Sequence, residues 1–506
     1  MSTETLWVLI PEIVLVAAAV GIYLGGAFVA ARRPWSWIAG GGVLLAAAAL
    51  WVQHAPLAAG GPLVCDRLAY FGRWLALVLG GLLVLSTSKP LSTPGTPEYV
   101  GSLLLSIAGL MLAAGARDLV LIFVALELIS IPTYILLYLG RRDSASQEAA
   151  AKYFFLSLLA SAILLYGFSF LYGATGTTQL TGAADPGFPK LIKLALVLIV
   201  AGLGFKIAAV PFHFYAPDVF QGTTYANAAL LSVIPKAGGL LVLVRICVWA
   251  MPIPPLTEAY AWRIALALAV LSMTLANVVA LWQDNLRRLL AYSAIAHSGY
   301  MLIGLAVGLA TAGAPTRWDG VGALLFYLAV YAVASVGTFA ACAYLGRDRQ
   351  PLEAIDELAG LGRTRPLTAA LIAVFMFSLA GIPPLAGFWG KLVVFGSALG
   401  VDAGAAAEGS RQPWFVALAI IGVLNAAVSA AYYLRIVGVM YFRTPLATPK
   451  AEGGLGTRCA AVLCAILIVV IGLYPGPLMR ASDAASPHAA SPTEAAAADV
   501  LRPCRP

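Results

Sequence analysis

The sequence predicts an all-α integral membrane protein of about fourteen transmembrane helices, two of them broken at mid-depth. Three observations predict it. Of 506 residues, 61% are hydrophobic and 11% charged, whereas soluble domains carry roughly a quarter charged residues, and a soluble chain of this length would still need a charged surface. The apolar residues fall in runs of about 20, the length that crosses a hydrocarbon core. The basic residues lie between the runs, biased toward alternate loops.

The runs begin near Leu6, Trp35, Arg67, Tyr99, Leu119, Ala150, Leu191, Thr224, Ala261, Leu289, Val321, Pro366, Trp414 and Arg458. The first has no basic segment before it and carries Pro11-Glu12, so it reads as a membrane helix and not as a cleavable signal. Tyr and Trp gather near run ends, as in interfacial belts. From about Ala481 the chain is rich in Ala, Ser and Pro and is expected to be disordered.

Loops numbered from the N-terminus test the count. Odd loops carry Arg32, Arg33, Lys89, Arg141, Arg142, Arg287, Arg288, Arg347, Arg349, Arg363, Arg365, Arg443 and Lys450; even loops carry few basic residues, such as Arg117, Lys190, Arg317 and Arg411. The positive-inside rule puts the odd loops in the cytoplasm. The expectation is a multi-pass protein of a bacterial-type plasma (inner) membrane with both termini on the outer, periplasmic side. One missed helix would scramble the parity of every later loop.

The seventh and twelfth runs are too long for one straight span. The seventh holds Gly202, Gly204, Pro211 and Pro217; the twelfth holds Gly381-Ile382-Pro383-Pro384 and Gly387. Proline removes a helical hydrogen bond and kinks the chain. Such breaks survive in a membrane only where protein or a water-filled cavity satisfies the freed backbone. A matched pair, one in each half, points to internal repeats and a transport site. Ala201-Gly-Leu-Gly-Phe-Lys206 against Ala386-Gly-Phe-Trp-Gly-Lys391 is a short local echo.

Other classes fall away. The net charge of +8 is spread through short loops, not clustered on one face as nucleic-acid binding requires. The six cysteines, Cys65, Cys247, Cys342, Cys459, Cys464 and Cys504, form no Cys-x-x-Cys pair, so neither a zinc nor an iron–sulfur site is supported. No Gly-rich phosphate loop, heme ligand pair or serine nucleophile motif is present.

A charge at the bilayer centre costs about 2.5–3.5 kcal/mol on insertion scales, so groups that persist there are functional candidates. Five stand out: Glu127 within Leu119–Leu139, Lys206 beside the first break, Lys236 after Ser232-Val-Ile-Pro, His297 one turn after Ser293, and Lys391 after the second break. A carboxyl in apolar surroundings keeps its proton unless a cation lies near. A buried lysine can gain and lose a proton near neutral pH, as arginine cannot. Neutral imidazole both donates and accepts. One acid, three lysines and a histidine on five helices are what a hydrated proton path requires, with Glu127 and Lys206 able to act as a switch. Lys152 and Lys193 read instead as snorkelling side chains, Arg245 and Arg435 as structural cations, and His213 and Asp218 as capping or loop-pinning groups.

Four blocks carry a family resemblance. Lys206-Ile-Ala-Ala-Val-Pro-Phe-His-Phe-Tyr-Ala-Pro-Asp-Val-Phe-Gln-Gly222, Ser232-Val-Ile-Pro-Lys236, Arg288-Leu-Leu-Ala-Tyr-Ser-Ala-Ile-Ala-His-Ser-Gly-Tyr300 and Leu379-Ala-Gly-Ile-Pro-Pro-Leu-Ala-Gly-Phe-Trp-Gly-Lys391 resemble the antiporter-like subunits of respiratory complex I, the subunit N branch in particular. The likeness runs from about Arg117 to Phe442. It departs after Gly222, where Thr-Thr-Tyr-Ala-Asn replaces a proline-rich stretch. The resemblance implies two inverted five-helix repeats. It divides the chain into four N-terminal helices (1–115), a first antiporter-like half (116–250), a second (251–445), a last helix (446–480) and the tail (481–506). It implies that Glu127, Lys206, Lys236 and Lys391 form a proton path with His297 as central relay. It also implies that the chain is a membrane-arm subunit of a proton-translocating NADH:quinone oxidoreductase. No cofactor is expected on this chain; NADH, FMN, iron–sulfur clusters and quinone belong to partner subunits. The expected contacts are other complex I membrane subunits and lipid, with no nucleic acid. The alternative is a subunit of a multisubunit cation/proton antiporter without redox chemistry, which shares the seventh-helix block. A further alternative is a scaffold whose charges only pin helices together.

Overall fold

The computed structural model describes residues 3–28, 34–53, 61–87, 96–141, 143–180, 189–246, 261–311, 318–347, 350–402, 410–445 and 449–486. Among the described residues twelve unbroken helices are long and apolar enough to cross a membrane: Ile10–Phe28, Trp35–Gln53, Arg67–Ser86, Thr96–Gly115, Leu119–Gly140, Ser144–Thr175, Tyr225–Val244, Trp262–Ala280, Leu286–Thr311, Gly320–Tyr344, Gln412–Phe442 and Leu455–Leu473. The broken seventh and twelfth helices complete the fourteen. The seventh is Pro189–Lys206 with Ala216–Gly222, and the twelfth is Pro366–Ala380 with Ala386–Leu399. The five helices from the fourth to the eighth and the five from the ninth to the thirteenth each carry their break in the fourth member. Because five is odd, the second set starts from the opposite face, which makes the repeats inverted.

The loops sort onto two faces as their parity demands. On the even face Leu63 bridges Ala116, Asp118 bridges Gln179, and Arg117 Nε donates to the Leu180 carbonyl. On the odd face Leu345–Arg347 pairs antiparallel with both Gln350–Pro351 and Lys450–Ala451, and Asn285 bridges Ala354. The short helix Gly476–Ala484 packs Asp483 against Gly322 at the start of the eleventh helix, so the C-terminal end of the described chain lies on the even face.

Burial ranks the helices. All of the eighth helix but Ala226 and all of the eleventh but Ala343 and Tyr344 are buried, against only Pro11, Glu12, Leu15, Ala19 and Ile22 of the first. The central helices are therefore enclosed all round, while the outer ones turn side chains such as Leu24, Leu44 and Phe155 outward.

Three expectations are corrected. The sixth helix starts at Ser144 and not near Ala150, because Asp143 caps it through the Ser146 amide at 2.8 Å and its first turns are too polar to read as membrane. Chain expected to be disordered from Ala481 is helical to Ala484, with Ser482 fully buried. The echo between Ala201–Lys206 and Ala386–Lys391 joins non-equivalent places: the first ends a half-helix, the second begins one. Arg32, Arg33, Lys89, Arg142, Arg317, Arg349, Cys247, Cys504 and the tail from residue 487 lie outside the described residues.

Candidate functional site

Both breaks are made the same way. After Lys206, Ala208 takes a left-handed φ of 54°, the Ala208 amide bonds the Phe205 carbonyl and the Ala209 amide bonds the Gly204 carbonyl. After Ala380, Gly381 takes φ 89°, its amide bonds the Ser378 carbonyl and the Ile382 amide bonds the Phe377 carbonyl. These are Schellman caps. Pro211 and the Pro383-Pro384 pair follow, unable to continue the helix. Each cap leaves carbonyls at the negative end of a half-helix inside the membrane, where a cation is favoured.

A lysine meets each end, from opposite sides of the break. Lys206 is the last residue of its own half-helix. Lys391 lies on the second half of the twelfth helix and reaches back, its Nζ donating to the Ala380 carbonyl at 2.8 Å. Lys391 also approaches Ser429 Oγ at 3.5 Å and stands over the Tyr300 ring at 5.2 Å. The half-helices pass so closely that a Cβ on Gly387 would lie 1.8 Å from the Ser378 carbonyl oxygen.

Lys206 and Glu127 form a pair, Nζ to Oε1 3.8 Å. A serine cage surrounds it. Lys206 Nζ donates to Ser130 Oγ at 2.6 Å, Ser157 Oγ at 3.1 Å and Ser161 Oγ at 3.3 Å, and Ser161 Oγ donates to Glu127 Oε1 at 2.5 Å. Ser130 follows Glu127 by about one helical turn, and Ser157 and Ser161 are one turn apart on the sixth helix, so each pair shares a face. The Lys206 side chain is 2% exposed and that of Glu127 is 20% exposed, so the acid is the member nearer the outside.

Lys236 lies on the eighth helix after Pro235. Its Nζ donates to the Ala294 carbonyl on the tenth helix and stands 4.8 Å from the Tyr331 ring centroid. His297, one turn after Ala294, bonds Tyr327 Oη through Nδ1 at 2.7 Å and Tyr433 Oη through Nε2 at 3.0 Å. Tyr433 in turn bonds Ser293. The His297 ring lies 4.9 Å from that of Tyr331, so Tyr331 touches both Lys236 and His297. Tyr300 connects onward: Asn277 Nδ2 donates to its Oη at 3.0 Å, and Tyr432 donates to Asn277 Oδ1 at 2.9 Å.

Among the described residues no direct hydrogen bond joins Lys206 to Lys236. Between them is a cavity of about 10 Å³ lined by both lysines together with Tyr153, Tyr215 and Ser232, about the least space that holds one water. Pro235 and Leu231 also line it, and Pro235 leaves the Leu231 carbonyl without its usual helical donor. The lining therefore has polar groups for a bridging water to bond.

All five groups expected from the sequence lie inside the bundle, and they fall into two clusters and an end member: Glu127 with Lys206, Lys236 with His297, and Lys391. The sequence alone assigns no role to the serine cage or to Tyr300, Tyr327, Tyr331 and Tyr433. The only signal for them was helical spacing from a charged residue. The remaining polar groups hold elements together. Arg245 forks onto Asp66 at 3.0 and 3.1 Å. Arg435 bonds Asp284 at 2.5 Å. Asp218 accepts from Lys152 at 3.0 Å and Arg288 at 2.5 Å, so Lys152 is paired where snorkelling was expected. At the start of the eighth helix, where the proline-rich stretch is absent, Thr224 caps the helix through the Asn227 amide at 3.2 Å. Among the described residues no group of three His, Cys, Asp or Glu side chains could hold a metal.

Two half-helices ending inside the bundle, each with a buried lysine at its carbonyl end, define a polytopic membrane subunit of the ion-translocating, antiporter-like class. Residues 116–408 match the family described as NADH:quinone oxidoreductase/Mrp antiporter, transmembrane. NADH-quinone oxidoreductase subunit N of Rhizorhabdus wittichii is 38% identical over 96% of this chain and 98% of its own. The protein of the same name from Paramagnetospirillum magneticum is 37% identical over 84% of this chain and 85% of its own. Among solved structures, a chain of respiratory complex I from Thermus thermophilus superposes with a TM-score of 0.78 at 34% identity, covering 94% of this chain and 100% of that one. A chain of the Mrp complex from a Dietzia species shares the fold, with a TM-score of 0.80 at 22% identity over 98% of this chain and 99% of that one. The chain belongs to the subunit N family of the NADH-quinone oxidoreductases.

Proposed function

We propose that the chain is a membrane-arm subunit of an NADH:quinone oxidoreductase and carries protons across the membrane while partner subunits pass electrons from NADH to quinone. The observation that carries this reading is the Glu127–Lys206 pair at the carbonyl end of a broken helix, 3.8 Å apart in a serine cage. With both partners charged, the pair is held together. Protonating Glu127 or drawing it away removes the charge that keeps the proton on Lys206. Lys206 can then release its proton toward the cavity, Lys236 and the Tyr331–His297 cluster, and Lys391 stands at the far end beside the second break. The serines supply oxygens that stabilise the ammonium at each stage.

NADH, FMN, iron–sulfur clusters and quinone are assigned to the partner subunits, and the neighbours in the membrane to antiporter-like and small membrane subunits of the same complex. The two translocating halves are 116–250, completed to five helices by the fourth helix, and 251–445. The bias of basic residues assigns the odd-loop face to the cytoplasm and both termini to the periplasmic side. The reading as an antiporter subunit without redox chemistry is weaker, because the near full-length relatives bear the subunit N name and the likeness to the Mrp chain reaches only the fold.

Proton pumping by the assembled complex in vesicles tests the proposal, comparing wild type with Lys206→Met and Glu127→Gln. The expected outcome is intact assembly with pumping and coupled NADH:quinone turnover lost. Variants that pump at the wild-type ratio would make the buried charges structural.

A further inference from the structure

We propose that the groove along the first helix is a lipid site selective for a head group that donates a hydrogen bond, and that phosphatidylethanolamine is its occupant. The groove holds about 1260 Å³, above the ~300–1,000 Å³ of small-molecule sites. Val16, Val20 and Leu24 of the first helix form one wall, with Leu112 and Leu121 of the fourth and fifth helices opposite. Val20 is 46% and Leu24 61% exposed, so the groove opens sideways to the lipid.

Glu12 is the one charged residue among the described residues of this lining and is only 2% exposed. Half of its carboxylate is satisfied: Arg73 Nε donates to Oε1 at 2.7 Å. The other oxygen, Oε2, is buried with no hydrogen-bond partner among the described residues. A buried carboxylate oxygen without a donor is costly. Arg73 does not supply the second donor: its Nη2 lies 2.7 Å from the same Oε1 and bonds the Val8 carbonyl at 2.9 Å, and its Nη1 faces Cys65 Sγ at 3.6 Å.

The lining of this apolar trough therefore holds an unsatisfied acceptor. A phosphate diester alone has no N–H or O–H to donate to Oε2. The ethanolamine ammonium brings both N–H donors and positive charge, while the trimethylammonium of phosphatidylcholine brings charge without an N–H. From Glu12 to Leu24 the first helix rises about 18 Å, close to one leaflet of a ~30 Å hydrocarbon core, so a head group at Glu12 lays its acyl chain along the trough.

The test uses the assembled complex, delipidated and then reconstituted with vesicles of equal phosphatidylethanolamine and phosphatidylcholine, with retained lipid counted by native mass spectrometry. The wild type is expected to keep phosphatidylethanolamine over phosphatidylcholine by about tenfold, as one charge-assisted hydrogen bond implies. Glu12→Gln turns an amide donor toward the groove and abolishes the preference. Gly21→Phe fills the trough, since a Cβ there meets nothing within 4 Å, and it removes the bound lipid while leaving the Glu12–Arg73 pair in place; it also carries the test if Glu12→Gln fails to assemble. Equal retention of both lipids, unchanged retention in Gly21→Phe, or cross-linking of Val20→Cys to a neighbouring subunit seated in the groove would each overturn the proposal.

Discussion

A lysine buried among apolar helices stays charged only if oxygens replace its water, and this protein uses three kinds. Lys206 has serine hydroxyls and a carboxylate, Lys236 a helix carbonyl and a tyrosine, and Lys391 the carbonyl at a helix end. Ser161 is the pivotal member of the first set, because it alone bonds both Lys206 and Glu127. Ser161→Ala should cost about 1–3 kcal/mol of stabilisation at the pair and slow coupled turnover. Ser157→Ala removes a bond to Lys206 and one from Tyr134 but leaves Glu127 held, so it should slow turnover less. Turnover of the two variants side by side, with assembly verified, checks the ranking. The charged members of the site were legible in the sequence because a charge stands out in an apolar run. Their neutral partners were not, because serine and tyrosine are common in membrane helices and nothing local marks the few that face a lysine.

At the scale of the element, the two breaks solve one backbone problem with different residues. Gly381 takes its left-handed φ freely, while Ala208 does so against the preference of an L-residue, worth about 1–2 kcal/mol. Gly381→Ala should therefore lower the stability of the complex by about 1–2 kcal/mol, and its new Cβ would press on Lys391 Cδ at 2.9 Å, disturbing turnover as well. Ala208→Gly should leave the melting temperature unchanged or raise it, since relief of strain offsets the added freedom of glycine. Thermal melts of the two assembled variants test the pair of expectations. The positions of both breaks were readable from Gly and Pro. That one lysine precedes its break and the other follows was also readable, yet that Lys391 reaches a half-helix carbonyl while Lys206 turns into a serine cage was not. The backward reach of Lys391 to Ala380 depends on how the two halves of the twelfth helix cross.

At the scale of the molecule, the odd face carries a clasp between the two halves. Arg287, fully buried at the start of the tenth helix, donates to the Thr223 carbonyl at the end of the broken seventh helix and to Glu353 in the loop after the eleventh at 2.6 Å. Arg141, at the end of the fifth helix, reaches the same carboxylate at 3.3 Å. The clasp fixes the turn from which the eighth helix, and so Lys236, begins. Glu353→Gln would leave Arg287 without its counter-charge. The expected loss is about 1–3 kcal/mol, kept modest because Glu353 is half exposed. Hydrogen exchange should show faster amide exchange at Thr224 to Asn227 in that variant, and an unchanged pattern would mean that the clasp does not hold the eighth helix.

By itself the sequence determined the solvent, the number of helices, the two faces and the five ionisable groups within the membrane. Each follows from a local quantity: the length of an apolar run, the sign of a loop, or the cost of a charge in lipid. Only the tertiary structure decided which of those groups meet. The Glu127–Lys206 contact, the tyrosines around His297, the cavity between the two lysines and the open oxygen of Glu12 all depend on side chains brought together from separate helices. Helix packing sets those distances, and the spacing of residues along a single run carries no record of them.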